Sequence, residues 1–176
     1  MKQAIIIPTH KKFSKWLYNC LSTIDTKYPV IVVTNTDDSN QFEMAAVKAG
    51  LELEIDEFFV MHDTVEIKDN KFFDLIFEVY KGQSVYCNPQ GQMFLNKYKR
   101  EELLRTNLPS VHDKLSAINA ESKLNGPYKH KFNPKVLFPE FKDNAAREEK
   151  FGRTNMILEN EFIKKYKGCW NPNMIK

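Results

Sequence analysis

Phe58-Phe59-Val60-Met61 runs directly into His62-Asp63-Thr64. Four apolar residues in a row are too few for a helix and show no alternation. They predict a strand buried on both faces, as a central strand of an α/β sheet is. The run then stops on polar side chains. In open α/β sheets ligands gather beyond the carboxyl ends of the strands, so His62, Asp63 and Thr64 stand where a ligand is expected. A carboxylate there can hold a divalent cation, and that cation a diphosphate. The plainer reading is that Asp63 starts a turn.

Two earlier stretches repeat this design. Ala4-Ile5-Ile6-Ile7 is a β-branched run that closes at Pro8-Thr9-His10, and Val30-Ile31-Val32-Val33 ends on Thr34-Asn35-Thr36-Asp37-Asp38. Between them Phe13, Trp16, Leu17, Cys20, Leu21 and Ile24 recur at helical spacing. Strand, helix and strand at this separation form a βαβ unit, so the two strands should lie parallel. Asp38 or Ser39 can cap a helix through Phe42, Met44 and Val47, with Gly50 as its stop. The alternation of Leu51, Leu53 and Ile55 with acids predicts a half-exposed strand.

Beyond Asp63 the pattern is more varied. Lys68-Asp69-Asn70 reads as a turn, Phe72 to Tyr80 as a helix closed by Gly82, and Asn88-Pro89-Gln90-Gly91 as the turn of a hairpin flanked by Ser84–Cys87 and Gln92–Leu95. Lys97-Tyr98-Lys99-Arg100 leads into a short helix from Glu101 to Arg105. Ser110 caps a helix carrying Val111, Leu115 and Ile118, which Asn125-Gly126 should end. Residues 127–145, with three prolines, read as mostly irregular, and Asn155 to Tyr166 as a last helix.

A chain of 176 residues, 42% hydrophobic and 28% charged, is large enough for one domain with a real core. No run approaches the roughly 20 apolar residues of a membrane span, and the N-terminus lacks a signal-peptide layout, so the expected location is cytoplasmic. Cys20, Cys87 and Cys169 are odd in number and widely spaced, which indicates buried thiols rather than disulfides or structural zinc. Charge is unevenly spread. Residues 1–88 hold nine lysines against thirteen acids, whereas residues 89–176 hold seventeen Lys and Arg against ten acids. An anionic ligand or partner gripped by the second half would suit that asymmetry.

The order of parts resembles the nucleotide-sugar half of GT-A-fold glycosyltransferases of the family 2 type. The matching features are a strand ending in Pro-Thr-His, a helix, a strand ending in Asn-Thr-Asp-Asp, another helix, and a strand ending in His-Asp-Thr. The resemblance covers roughly residues 4–125 and rests on pattern and order. It implies a single α/β domain over residues 1–176, with a mostly parallel central sheet flanked by helices. Residues 1–67 would form the nucleotide-sugar half and 68–176 the acceptor and diphosphate half.

The resemblance also implies roles. Pro8, Thr9 and His10 would border the nucleotide, with Asn35 nearby, Asp37 or Asp38 would face the base or ribose, and Asp63 with His62 would hold Mn²⁺ or Mg²⁺. His62-Asp63-Thr64 departs from the Asp-x-Asp motif of the family by keeping one acid, which bears on metal dependence. Asp113 and Glu121 are the two candidates for the general base that takes the proton of an acceptor hydroxyl. Asp113 also fits a plain capping role. Gly152-Arg153-Thr154 reads as a diphosphate clamp at a helix start, or as a capped turn with an exposed arginine. The implied activity is sugar transfer from a nucleoside-diphosphate sugar to a hydroxyl acceptor: a glycan, a small molecule or DNA. Two alternatives stand beside it: a non-catalytic nucleotide-sugar binding module, and a nucleic-acid binder using Lys164, Lys165, Lys167 and Trp170.

Overall fold

The computed structural model describes residues 1–36, 41–89, 91, 95–111, 114–141 and 156–167. Strand β1 (Gln3–His10) lies between β2 (Val30–Asn35) and β3 (Glu57–Met61), parallel to both. Helix α1 (Ser14–Ser22), preceded by a 3-10 turn at Lys11–Phe13, crosses between β1 and β2 as the βαβ reading predicts. Beyond β3 the sheet continues through β6 (Leu95–Lys99), β5 (Val85–Tyr86) and β7 (Lys135–Val136) in the order β2-β1-β3-β6-β5-β7. Strand β6 is antiparallel to both β3 and β5. The sheet is therefore mixed rather than mostly parallel. Its physical cause is the β5–β6 hairpin: Gly91 at φ 65° donates to the Asn88 carbonyl at 3.1 Å and turns the chain back, inserting β6 between β3 and β5.

Strand β3 is buried at every position, and its side chains alternate between two cores. Phe59 and Met61 join Ile5, Ile7, Phe72 and Phe77 on one face. Phe58 and Val60 join Ala4, Ile6, Tyr98 and Leu124 on the other. Each fully buried phenylalanine contributes on the order of 2–3 kcal/mol. Strand β1 runs through Pro8 rather than stopping there. Ile5 N–H points at β2, bonding the Pro29 carbonyl at 2.9 Å, so the even positions of β1 point their N–H groups toward β3. The β1–β3 register ends at Ile6 opposite Val60, and the N–H that Pro8 lacks falls beyond it. Strand β2 forms the sheet edge and is half-exposed, with Val32 at 37%, rather than buried on both faces.

Several elements depart from local expectation. Helix α2 (Met44–Glu52) runs through Gly50 and takes in Leu51 and Glu52, and a turn at Leu53 and Glu54 follows in place of the strand that alternation predicts. A Cβ on Gly50 would lie 2.5 Å from the buried Phe58 ring, so this glycine permits close helix–sheet contact instead of stopping the helix. Helix α3 (Lys71–Asp74) continues as a π segment over Leu75–Val79, near the predicted helix. Lys97 and Lys99 belong to β6, and the following α4 spans Arg100–Leu103. Helix α5 (Lys114–Phe132) passes through Asn125, Gly126 and Pro127. An internal proline costs about 3 kcal/mol. Against that cost, the next residue, Tyr128, is fully buried, with its ring 5.3 Å from Tyr98 and its hydroxyl 2.8 Å from Ser84 Oγ and 2.5 Å from Glu102 Oε2.

The predicted C-terminal helix is a hairpin of β8 (Met156–Glu159) and β9 (Ile163–Lys167). Asn160 makes its turn: Oδ1 accepts from Phe162 N at 2.9 Å and Ile163 N at 3.0 Å. Strand β9 also pairs antiparallel with β4 (Val65–Ile67), giving a second sheet β4-β9-β8. Both sheets thus draw on both sides of the division at residue 67. Among the described residues no helix is long and apolar enough to cross a membrane.

Candidate functional site

The carboxyl ends of β1, β2 and β3 lie side by side. Register carries Gln3 opposite Glu57 and Ile6 opposite Val60, and continuing the same offset sets Thr9 across from Asp63. The Thr9 hydroxyl donates to Asp63 Oδ2 at 2.7 Å. Thr9 is 6% exposed, and Asp63 is only partly open to solvent. Burial pushes the Asp63 carboxyl above the usual aspartate range, against the opposing pull of the Thr9 bond and of the charge on Lys165.

His62 faces the opposite side of the sheet, where α2 begins. Its Nε2 lies 3.0 Å from Glu43 Oε1, and its Nδ1 2.7 Å from Lys165 Nζ. Lys165 is 2% exposed and also donates to Thr64 Oγ1 at 3.0 Å. An ammonium only donates, so Nδ1 accepts and the imidazole proton sits on Nε2, the nitrogen beside Glu43. Burial first, then the Lys165 charge, hold His62 below the usual histidine range, which keeps the ring neutral at neutral pH. Burial works against ionisation of Glu43, but the His62 hydrogen bond and the nearby positive charge outweigh it and hold Glu43 below the usual range.

The hairpin secures this edge further. Tyr166 N donates to the Thr64 carbonyl at 2.9 Å, and the Tyr166 hydroxyl donates to Glu66 Oε1 at 2.8 Å. Trp16 of α1 packs on the Tyr166 ring at 5.1 Å, and Asn19 Nδ2 reaches Glu66 Oε1 at 2.7 Å. Lys164 lies 3.9 Å from Glu66 Oε2. The lysines at 164 and 165, expected as a basic helix end, are therefore part of a strand and engaged with acids and with His62.

The remaining expected residues fall as follows. Pro8 is inside β1. His10 caps the 3-10 turn, its Nδ1 accepting from Lys12 N at 3.2 Å. Asn35 is 4% exposed and braces the edge, with Nδ2 3.2 Å from the carbonyls of both Thr9 and Phe42 and Oδ1 accepting from Gln41 N at 3.0 Å. Glu121 lies on α5 one turn before Asn125, whose Oδ1 accepts from the Tyr98 hydroxyl at 2.6 Å, so Glu121 is placed toward β6, the neighbour of β3. Asp37, Asp38, Asp113, Arg153 and Trp170 lie outside the described residues. A cleft of about 520 Å³, lined by Ser84, Glu102, Phe132 and Lys135, opens at the other end of the sheet, where β5 starts and β6 finishes.

Sequence reasoning missed Glu43 and read Lys165 only as one of the lysines of a nucleic-acid-binding segment. Glu43 reads locally as one more acid at a helix start, and Lys165 as one of a run of lysines. Lys165 carries no signal of burial until β9 is paired with β4, and Glu43 none until the start of α2 is set beside His62.

Among the described residues the donor set does not fit a Mn²⁺ or Mg²⁺ ion. Such ions take carboxylate and other oxygen ligands. Asp63 offers one carboxylate with an oxygen already bonded to Thr9, both His62 nitrogens have protein partners, and an ammonium sits beside them. Among the described residues no group of three His, Cys, Asp or Glu side chains is arranged to hold a metal ion.

No protein-family model and no curated protein matches the chain. Among solved structures it is similar to the crystal structure of A197 from STIV, at 12% identity and a TM-score of 0.48, over 78% of this chain and 82% of that one.

Proposed function

We propose that the protein is a GT-A-like glycosyltransferase that uses a nucleoside-diphosphate sugar as donor. The observation that carries this reading is the alignment of Thr9, Asn35 and Asp63 at the carboxyl ends of three adjacent parallel strands, with Thr9 and Asp63 joined at 2.7 Å. Ligands of open α/β sheets bind at that edge. Thr9 and Asp63 meet the donor, and the end of β2 at Asn35 borders the nucleoside.

In the transfer, an acceptor hydroxyl oxygen bonds to the anomeric carbon as the bond from that carbon to the diphosphate oxygen breaks. The nucleoside diphosphate leaves with the electron pair, and a carboxylate base takes the hydroxyl proton. Glu121 and Asp113 are the candidates for that base. The acceptor is a glycan, a small molecule or DNA.

A thermal-shift and calorimetric panel of nucleoside diphosphates and their sugars tests the reading. Ligand at about a hundred times its dissociation constant stabilises a protein by about 2.7 kcal/mol, enough to move the melting temperature by several degrees. One nucleotide class is expected to do so, and Asp63→Ala is expected to weaken its binding at least tenfold. A panel with no response removes the donor-site reading.

A further inference from the structure

The strand-end edge combines the acids that a nucleotide site of this kind uses with a buried ammonium. Lys165 is held on both sides by sheet pairing, opposite Val65 on β4 and Leu158 on β8, so its backbone has little freedom. Its Nζ reaches the two residues that flank Asp63, at 2.7 Å to His62 Nδ1 and 3.0 Å to Thr64 Oγ1. Its positive charge draws the carboxyls of both Asp63, at the end of β3, and Glu43, across the imidazole, toward ionisation. One cation thus serves two carboxylates, and a buried charge acts on its neighbours more strongly than a solvated one.

We infer that Lys165 is the resident cation of this site: its ammonium stands where a divalent metal would otherwise offset the strand-end acids, and the edge works without bound metal. The inference rests on the nucleotide-sugar reading for its ligand, but its cation chemistry can be examined alone. Lys165 acts as a positioning residue. By bonding His62 and Thr64 it orients the turn that presents Asp63 to Thr9, and it occupies the histidine nitrogen that a metal would need.

The first experiment titrates the full chain with Mn²⁺ alone, followed by calorimetry and by the loss of free-ion paramagnetic signal. No saturable binding is expected at millimolar metal. Lys165→Ala opens His62 Nδ1 and relieves the positive charge beside Asp63, so this variant is expected to gain Mn²⁺ affinity by tenfold or more. Asp63→Asn in the same background should remove the gain. Saturable Mn²⁺ binding to the unmodified chain that disappears in Asp63→Asn would overturn the inference.

The second experiment needs no variant and compares nucleotide-induced melting shifts in EDTA and in Mg²⁺ or Mn²⁺. Equal shifts are expected. A shift present only with metal overturns the resident-cation role while leaving the donor-site reading intact. Absence of any nucleotide shift removes the donor-site reading, and the Mn²⁺ titration still decides the role of Lys165. If Lys165→Ala does not fold, the unmodified chain in these two measurements gives the answer.

Discussion

Lys165 Nζ and His62 Nδ1 lie 2.7 Å apart although 103 residues separate them in the chain. This bond, with the Tyr166 N to Thr64 carbonyl bond at 2.9 Å, fastens the C-terminal hairpin to the end of the central strand. Removing one partner of a buried charged contact leaves the other groups desolvated and unpaired. Lys165→Met is expected to destabilise the protein by about 3 kcal/mol, seen as a lower urea midpoint with little change in slope. Amide exchange should speed up first in β4, β8 and β9. Uniform loss of protection across the large sheet would contradict a local role.

Asp63 links stability to pH. Its folded-state carboxyl titrates above the unfolded one, chiefly because burial disfavours the charge. The native state therefore holds that proton more tightly. The stabilisation is fully present below the ordinary aspartate value of 3.8 and is lost as pH rises through the higher folded value. Asp63→Asn keeps an acceptor for Thr9 without the charge, so it is expected to melt higher than the unmodified chain at pH 7. The difference should shrink as pH falls through the raised folded value and be closed below the ordinary aspartate value, and a pH-independent difference would sink this account.

The Glu57–Lys97 pair is a buried ion pair with both side chains at 1% exposure or less and 3.2 Å between Glu57 Oε2 and Lys97 Nζ. Burial depresses the Lys97 ammonium below its usual range, while Glu57 opposes that shift. Lys97→Met strands the carboxylate and is expected to cost about 3–5 kcal/mol. Combining it with Glu57→Gln removes the stranded charge and should recover a large part of the loss. A double-mutant cycle in urea measures this, and strict additivity of the two single costs would count against coupling.

Gly50→Ala sets two effects against each other. Alanine favours a helix interior by about 1 kcal/mol, but its Cβ would lie 2.5 Å from two carbons of the buried Phe58 ring and 2.6 Å from a third. Overpacking of that kind costs about 1–3 kcal/mol. A net loss of stability is expected by thermal melting, and a gain would mean that the ring relocates easily.

What the sequence by itself determined is the part governed by short-range pattern. The β-branched and aromatic runs at Ala4–Ile7 and Phe58–Met61 have no solvent face to spare, so they become adjacent central strands, and the helix between β1 and β2 follows from spacing. Gly91 with Asn88-Pro89 sets a hairpin because only a few backbone conformations close that turn. Asp63 was legible as a strand-end acid for the same reason. Tertiary structure decided the rest. Gly50 and Pro127 carry local stop signals, yet contact with Phe58 and burial of Tyr128 outweigh them. Residues 156–167 take up strand pairing with β4, a partner some hundred residues away that no local window contains. The antiparallel insertion of β6, which makes the sheet mixed, depends on which edge of β3 remains unpaired. Lys165 illustrates the division best: in sequence it is one lysine among several, and only the pairing of β9 buries it beside His62, where its charge organises the candidate site.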